Sequence, residues 1–278
     1  MSYKNFYIRS TLAIIVMLLP NISFATTSDV DKLHGIGNFY VSAFYNPTLS
    51  QIRDFTIAEP GSLTKVVLGY KKDANTIALS THSNFNVKNF EYHFNNNILF
   101  ALSGAAGYAV GDGLRIEFEV GYEQFNTKGG GDYIHEDAHK FCALSRENNI
   151  SDQRYVTVKI DAITTVSLMM NACYDLISSN TSITPYLCAG IGSNIVNVTQ
   201  SYLTPKLAYK IKAGLNYPLI PEASISVGVF YHSILDTEYK SLPVYHPSSL
   251  STAPMYTNAT AKFGFSYFGG EIGVRFMF

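Results

Sequence analysis

The stretch GLRIEFEVGYEQF, residues 113–125, alternates between apolar and charged side chains over almost its whole length. Successive side chains of a β-strand point to opposite faces, so this pattern predicts a strand with one apolar and one charged face. The two faces comprise Leu114, Ile116, Phe118, Val120 and Tyr122 on one side and Arg115, Glu117, Glu119 and Glu123 on the other. In a soluble sheet the apolar face points into the core, whereas in a membrane barrel it points outward to lipid. The rest of the sequence decides between these orientations.

The N-terminus has the layout of a secretory signal peptide. Lys4 and Arg9 precede an apolar run at residues 11–20, and Ser23-Phe24-Ala25 forms a small-x-small cleavage site. An uncleaved anchor is the alternative, but the run is well short of the ~20 residues that a spanning helix needs. We therefore expect residues 1–25 to be a cleaved signal peptide and residues 26–278 to be an exported domain without a transmembrane helix.

The chain is poor in charge and rich in aromatic residues. Charged residues make up 15% of the 278 residues and aromatic residues 14%, with 20 tyrosines and no tryptophan. The formal net charge of -1 carries no sign of a nucleic-acid-binding surface. This composition leaves a soluble enzyme open but is unusual for one.

Seven further segments alternate or are rich in small and aromatic residues. They lie at 38–45, 98–110, 156–174, 183–196, 207–217, 223–231 and in the C-terminal segment that ends at Phe278. Strands of roughly ten residues or more suit a tilted membrane strand of ~9–11 residues better than a globular sheet, where ~5–6 is usual. The sequence predicts an all-β fold, a transmembrane antiparallel up-and-down β-barrel of eight strands.

The connections between these segments alternate in length, which supports the membrane assignment. Short turns follow residues 110, 174 and 217, whereas the long connections lie at about 46–97, 126–155, 197–206 and 233–261. Short periplasmic turns on one side and long external loops on the other are typical of outer-membrane barrels. In the first long connection, segment 64–70 also alternates and segment 85–94 contains further aromatic residues, so a barrel of 10–12 strands that recruits both is the alternative.

The charged faces of the predicted strands contain balanced charges. Five cations oppose five anions: Arg115, Lys159, Lys210, Lys212 and Arg275 against Glu117, Glu119, Glu123, Asp161 and Glu271. Unpaired buried charge is costly, so a narrow lumen requires such compensation. We predict that these ten side chains face the lumen.

The C-terminus supports a closed barrel. Apolar residues recur at alternate positions up to Phe276, and the chain ends on Phe278. In a barrel the last strand pairs with the first and leaves no free edge. This ending resembles the signal that the bacterial outer-membrane assembly machinery recognises, with Phe276 and Phe278 as its aromatic residues.

Several segments resemble, in order, the major surface antigens of Ehrlichia and Anaplasma. They are GAAGYAVGDGLRIEFEVGYEQF, EDAHKFCALS, MMNACYD, TPYLCAGIG, PEASISVG and GGEIGVRFMF, whereas residues 50–95 and 236–262 are less similar. The resemblance implies an immunodominant outer-membrane barrel with variable external loops. It also implies a role in host-cell interaction, and porin activity for some members.

The segment His135-Glu136-Asp137-Ala138-His139 matches the zinc-binding motif H-E-x-x-H. It follows three glycines in a predicted external loop, and the family pattern A-H-x-x-C-A-L does not include the first histidine. We therefore predict no catalytic zinc site, no other metal and no cofactor.

The three cysteines allow one disulfide. Cys173 and Cys188 flank a predicted turn and share the polar face, so a Cys173–Cys188 bond is one hypothesis and three free thiols is the other. In the first case Cys142 is left over in a surface loop and is available for intermolecular bonding.

These observations predict a non-enzymatic protein of the bacterial outer membrane that displays an antigen to host cells or antibodies. A general diffusion porin for small hydrophilic solutes is the alternative, since an eight-stranded barrel is narrow enough to be filled by side chains. A barrel enzyme and a soluble lipocalin-like barrel are further alternatives. The expected partners are membrane lipid, the assembly machinery, the host-cell surface and further copies of the chain, but not nucleic acid.

Overall fold

The computed structural model describes residues 38–99, 101–177, 182–199, 203–245 and 250–278. The expected signal peptide at residues 1–25 lies outside this range. Among the described residues, no helix is long and apolar enough to cross a bilayer.

The described chain is built from β-strands and a few short turns of 3₁₀-helix. The strands are β1 (Asn38–Tyr45), β2 (Thr48–Ala58), β3 (Val66–Tyr70), β4 (Phe85–Val87), β5 (Leu102–Gly111), β6 (Leu114–Asn126), β7 (Phe141–Ser145), β8 (Tyr155–Lys159), β9 (Ala162–Asp175), β10 (Thr184–Asn197), β11 (Leu203–Ile220), β12 (Ala223–Ile234), β13 (Glu238–Leu242) and β14 (Ala259–Met277). The 3₁₀ turns are Pro60–Ser62, His82–Asn84 and Ala138–Lys140.

Eight strands close into an antiparallel ring in the order β1, β5, β6, β9, β10, β11, β12 and β14. β14 returns to β1 through pairs that run from Tyr40–Met277 to Tyr45–Ile272. The prediction of an eight-stranded barrel is therefore confirmed. Segments 64–70 and 85–94 do not enlarge the ring, because they contribute β3 and β4 to a separate four-stranded sheet ordered β4, β3, β7, β8.

β6 contains the alternating stretch and turns its apolar side chains outward. The side chains from Leu114 to Tyr122 on that face are 38–53% exposed. The alternate charged residues Arg115, Glu117, Glu119 and Glu123 are at most 5% exposed. This arrangement is that of a membrane barrel, in which lipid takes the place of the apolar core.

The start of β1, the end of β14 and the short turns lie at the same end of the barrel. Asp112 and Gly113 connect β5 to β6 with φ angles of 50° and 84°, which are typical of a tight two-residue hairpin turn. A Cβ on Gly113 would lie 2.2 Å from the carbonyl oxygen of Asp175, so the turn has no room for another residue. The Phe278 N–H donates to the Phe39 carbonyl over 2.8 Å beside these turns.

β14 is longer than the barrel and continues outward beyond it. β1 and the first part of β2, up to Arg53, pair with one edge of β14 in one register, interrupted where Pro47 lacks an N–H group. The register shifts between Gly264 and Lys262, beyond which the rest of β2 pairs with β14. β13 pairs with the outer part of its other edge. The term outer lobe is used below for β2, β13, the outer part of β14 (Ala259–Tyr267) and the four-stranded sheet.

Several predicted boundaries differ from the observed ones. The first external connection, expected at 46–97, contains β2, and β5 starts at Leu102 and not at residue 98. The predicted strand 156–174 is two strands, because β8 belongs to the four-stranded sheet and β9 starts only at Ala162. β11 starts at Leu203 and β14 at Ala259, so the third and fourth external connections are shorter than expected. Strands that rise out of the membrane keep their alternation, and their sequence does not mark where the lipid ends.

Candidate functional site in the barrel lumen and outer lobe

Four charged side chains cross the centre of the barrel. Glu117 accepts a hydrogen bond from Lys212 over 2.7 Å, and Glu119 binds Lys210 over 2.5 Å and Lys212 over 3.0 Å. Two strands of the ring separate β6, which carries the glutamates, from β11, which carries the lysines. The ion pairs therefore span the lumen, and all four side chains are at most 6% exposed.

A second cluster fills the lumen toward the periplasmic turns. The Arg115 guanidinium contacts Glu117 over 3.0 Å and Asp175 over 2.9 Å. Arg275 lies 3.6 Å from the same Asp175 carboxylate. The Tyr40 hydroxyl donates to Glu117 and accepts from Arg115, so it connects this cluster to the central one.

Tyr186 on β10 brings Glu271 on β14 into the network, because its hydroxyl donates a hydrogen bond to the Glu271 carboxylate. Its ring occupies space left by two glycines, since a Cβ on Gly214 or Gly228 would lie 2.5–2.6 Å from the Tyr186 hydroxyl oxygen. The Tyr186 ring and the Tyr40 ring also flank the Arg115 guanidinium at 5.5 and 5.7 Å, which is within cation–π range.

Neutral polar and aromatic side chains fill the lumen above the charges. His232 lies 2.9 Å from the Asn194 amide oxygen and stacks on Tyr267 with ring centroids 4.6 Å apart. Phe125 and Phe265 pack edge to face just above, at 5.6 Å. This layer is continuous with an apolar core inside the outer lobe that contains Leu144, Val156, Val158, Ile160, Tyr239, Leu242 and Phe263.

The structure brings most of the predicted lumen charges together. Eight of the ten are buried inside the ring: Arg115, Glu117, Glu119, Glu123, Lys210, Lys212, Glu271 and Arg275. Glu123 lies higher than the ion pairs and accepts hydrogen bonds from Asn97 and Thr48.

The prediction is wrong for Lys159 and Asp161. They pair with each other over 2.9 Å at the end of β8 and at the connection to β9, and both stay partly exposed. Lys140, just before β7, also lies 3.5 Å from Asp161. The predicted strand 156–174 crosses the junction between β8 and β9. Its first part, β8, belongs to the outer lobe, where polar side chains face water.

The predicted set of lumen charges left out four members of the network: Tyr40, Asn171, Asp175 and Tyr186. Asn171 donates to both Glu117 and Glu119, at 3.0 and 2.8 Å. Asp175 ends β9 and therefore looks like a turn residue in the sequence. The alternation of β9 does place Asn171 and Cys173 on the inner face, so that signal was available for Asn171.

The two histidines of the H-E-x-x-H motif do not share a face. The segment forms a turn and one short 3₁₀ turn, Ala138–Lys140, instead of an α-helix. His135 accepts the Asp137 N–H, whereas the His139 ring lies 3.3 Å from the Thr127 carbonyl oxygen. The candidate ligand cluster that forms in the described part of the chain is Glu117 with Cys173 and Cys188, and both sulfurs are joined in a disulfide.

The cysteines take two different states. Cys173 and Cys188 are register partners on β9 and β10 and form a disulfide that faces the lumen. Cys142 is a free thiol, but it is fully buried in the outer lobe and not at its surface as expected. Burial raises the pKa of the Cys142 thiol to about 12, so the thiol stays protonated at neutral pH.

The outer surface of the barrel is suited to lipid. Exposed aromatic side chains lie near the periplasmic strand ends, among them Phe39, Tyr108, Tyr174, Tyr217 and Phe278. Such residues are common at the boundary between hydrocarbon and water. Phe276 and Phe278, the predicted assembly signal, are about half exposed on this surface.

Comparison with known proteins adds a family and a relative. A model of a family described as "Surface antigen" matches residues 32–278. Major surface antigen 4 of Anaplasma marginale is 36% identical over 242 residues, which cover 87% of this chain and 84% of that protein.

Solved structures with a similar fold have low sequence identity. Neisserial surface protein A matches with a TM-score of 0.41 and 14% identity, over 87% of this chain and 97% of that one. The outer membrane protein OprG of Pseudomonas aeruginosa matches with a TM-score of 0.46 and 15% identity, over the same shares.

Proposed function

The chain belongs to the surface antigen family, and from this premise we propose that it is a non-enzymatic display protein that presents its outer lobe to host cells and antibodies. Its fold is that of an outer-membrane barrel, and its family is that of surface-exposed proteins. The proposal concerns the role of the outer lobe at the cell surface.

The filled lumen is the observation that carries the proposal. Ion pairs span the ring between β6 and β11, and aromatic layers cover them on the outer side. An eight-stranded ring has an interior that side chains can fill completely. A solute would have to break buried ion pairs to pass, which supports a role as an anchor over a role as a porin.

The outer lobe has the build of a recognition module. It contains a four-stranded sheet with its own buried residues, including Tyr70, Phe85 and Tyr155. Arg146 and Glu59 tie this sheet to the end of β2 through a buried ion pair of 2.6 Å. Binding surfaces on rigid supports lose little entropy on association, which favours stable recognition.

The proposal includes the export route. Residues 1–25 are a cleaved signal peptide, and the assembly machinery recognises the C-terminal strand through Phe276 and Phe278. The intact mass of protein recovered from outer membranes tests the first step, because cleavage after Ala25 gives a chain that starts at Thr26. A mass that retains residues 1–25 contradicts it.

Planar bilayer recordings separate display from solute passage. We expect the folded, purified barrel to give no stable single-channel current. Long-lived, uniform conductance steps would favour the diffusion porin. Beads that carry the barrel in nanodiscs test display, and we expect them to bind host cells. Residues 71–84 connect β3 to β4 and residues 128–139 precede β7, so both segments adjoin the four-stranded sheet of the outer lobe. Their removal should reduce binding more than Lys262→Ala does.

A further inference from the structure

One side of the outer lobe contains two strand edges that begin as a pair and then separate. β2 and the extended segment 91–97 run antiparallel, and Thr48 and Asn97 exchange two backbone hydrogen bonds of 2.8 and 2.9 Å. One step farther out, the Ser50 N–H already binds the side chain of Asn96 instead of a backbone carbonyl. No backbone hydrogen bond crosses the gap beyond this point within the described residues.

Beyond Ser50, the backbone hydrogen bonds that the described residues show for these two segments lie on their far sides. β2 pairs with β14 along its outer length. Segment 91–97 pairs with the end of β6 and the residues after it, because the Asn95 N–H donates to Asn126 and the Lys128 N–H donates to His93. Backbone groups of alternate residues point to opposite sides of an antiparallel strand. Those of Ile52 on one edge and of Phe94 on the other therefore point into the gap.

The gap is an open groove of about 370 Å³. Its lining residues are Ser50, Ile52, Tyr92, His93, Phe94, Lys128, Gly129 and Gly130. Tyr92 is buried, whereas Lys128 and His93 are exposed at the rim. Lys128 takes part in no salt bridge among the described residues, so its charge has no partner there.

We propose that this groove binds an extended peptide segment of a partner protein, which adds as a strand to the open edge of β2. Strand addition obtains affinity from backbone hydrogen bonds and specificity from alternate side chains. Two separated edges offer donors and acceptors in the spacing of a strand, which a sugar chain does not match. The partner's inward side chains are apolar, to contact Ile52 and Phe94, and an acidic side chain meets Lys128 and His93. The inference rests on the proposed display function and names its partner class.

Two neighbouring glycines provide a matched pair of variants. A Cβ at Gly130 or at Gly131 would have no atom within 4 Å, so either position accepts a large side chain. Gly130 lines the groove and Gly131 does not. Gly130→Trp should therefore fill the groove, while Gly131→Trp adds the same bulk beside it.

The test selects phage-displayed random nonapeptides on the folded barrel in nanodiscs. We expect sequences with alternate apolar residues and an acidic residue, whose affinity falls at least tenfold with Gly130→Trp and is kept with Gly131→Trp. Methylation of alternate backbone nitrogens in such a peptide should lower its affinity at least tenfold at one set of positions and should change the affinity little at the other set. Lys128→Glu should reverse the preference from acidic to basic peptides.

The inference is overturned if no enriched peptide depends on Gly130, if methylation has no effect, or if a glycan array shows binding that only Gly130→Trp removes. The same beads on host cells separate the two proposals. Cell binding that is equal for wild type and Gly130→Trp contradicts strand addition and leaves display intact. No cell binding by any variant contradicts display itself.

Discussion

The two halves of β14 follow the same alternation with opposite chemistry. In the half within the membrane, the inward residues include Glu271 and Arg275, and the outward residues Ile272, Val274 and Phe276 are exposed. In the outer half, the inward residues are Phe263, Phe265 and Tyr267, and the outward residues are Lys262, Gly264 and Ser266. The outward side chains of β14 are therefore apolar in the half that lipid surrounds. In the half that water surrounds, the inward side chains are the apolar ones.

This difference shows what alternation encodes. A period of two residues determines that two faces exist, while the surroundings determine which face is buried. In lipid the lumen must satisfy its own charges, and the chain does so with ion pairs across the ring. In the outer lobe the hydrophobic effect stabilises an ordinary core. The first two predictions below compare a change in the membrane part of the molecule with a matched change in the outer half of β14, and the last two concern the outer part alone.

The largest effect is expected from Lys212→Ala. This change leaves the carboxylates of Glu117 and Glu119 short of a cation in a buried site, and breaking such a pair costs about 3–5 kcal/mol. The free energy of unfolding of the barrel in micelles, from urea titration, measures it. Lys262→Ala in the outer half should change it by less than about 0.5 kcal/mol, because the ion pair there is exposed.

The double change Lys212→Met with Glu117→Gln sharpens this test. Removing an anion together with the cation should recover part of the lost stability. If Lys212→Ala is as mild as Lys262→Ala, the lumen is hydrated and the buried network is refuted.

The next effect tests the outward face of β14. Val274→Lys places an ammonium group against lipid, which costs about 2–4 kcal/mol near the bilayer midplane. Gly264→Lys lies on the same face of the same strand in the outer half and should cost about 0.5 kcal/mol or less. Reversible folding into lipid vesicles measures both, and equal costs would mean that both halves meet the same surroundings.

The barrel was predictable from the sequence because charged residues mark the inner face of β6 so clearly. The junction at Asp161 was not, because Val158 in the outer core and Val166 on the lipid face are both apolar. An apolar residue at alternate positions gives the same sequence pattern whether its side chain contacts lipid or a protein core. The same ambiguity concealed the outer half of β14, where aromatic residues on the inner face looked like part of a loop.

The third prediction concerns the core of the outer lobe. Cys142 is fully buried, and burial raises the pKa of its thiol to about 12, so the reactive thiolate is scarce. A maleimide at pH 7 should leave the native protein unlabelled while it labels the unfolded protein completely. Leu144→Ala, which creates a cavity in the same core, should increase the labelling rate. Mass spectrometry reports the result, and rapid labelling of native wild type contradicts a packed outer lobe.

The smallest effect is expected from Asp236→Asn at the outer end of the barrel. The Lys206 ammonium binds Asp236 and lowers the pKa of this carboxyl group. A lowered pKa in the folded state stabilises the fold above the unfolded pKa of ~3.9, and this stability is lost as the pH falls through the folded pKa. The variant should lose up to about 1 kcal/mol at pH 7 and nothing at the acid end of a pH series of urea titrations. A difference that does not depend on pH would contradict the ion pair.

The lumen network was predictable in part, for a related reason. Charged residues at alternate positions of β6 and β11 mark the inner faces of these strands in the sequence, and these residues form the central cluster. Asp175 and Tyr40 lie at strand ends, where a sequence does not show whether a side chain turns inward. The groove beside β2 depends on two strands that separate after one pair, which is a property of the tertiary structure and has no local signal.

The alternation of β14 across the membrane boundary can be measured residue by residue. Spin labels at the outward positions from Lys262 to Phe276, in lipid vesicles, report their contact with oxygen in lipid or with a water-soluble nickel complex. The account predicts contact with the nickel complex at Lys262 and Gly264 and contact with oxygen at Ile272, Val274 and Phe276, with the change between Gly264 and Phe268. Nickel contact along the whole strand would contradict the barrel orientation on which the display function depends.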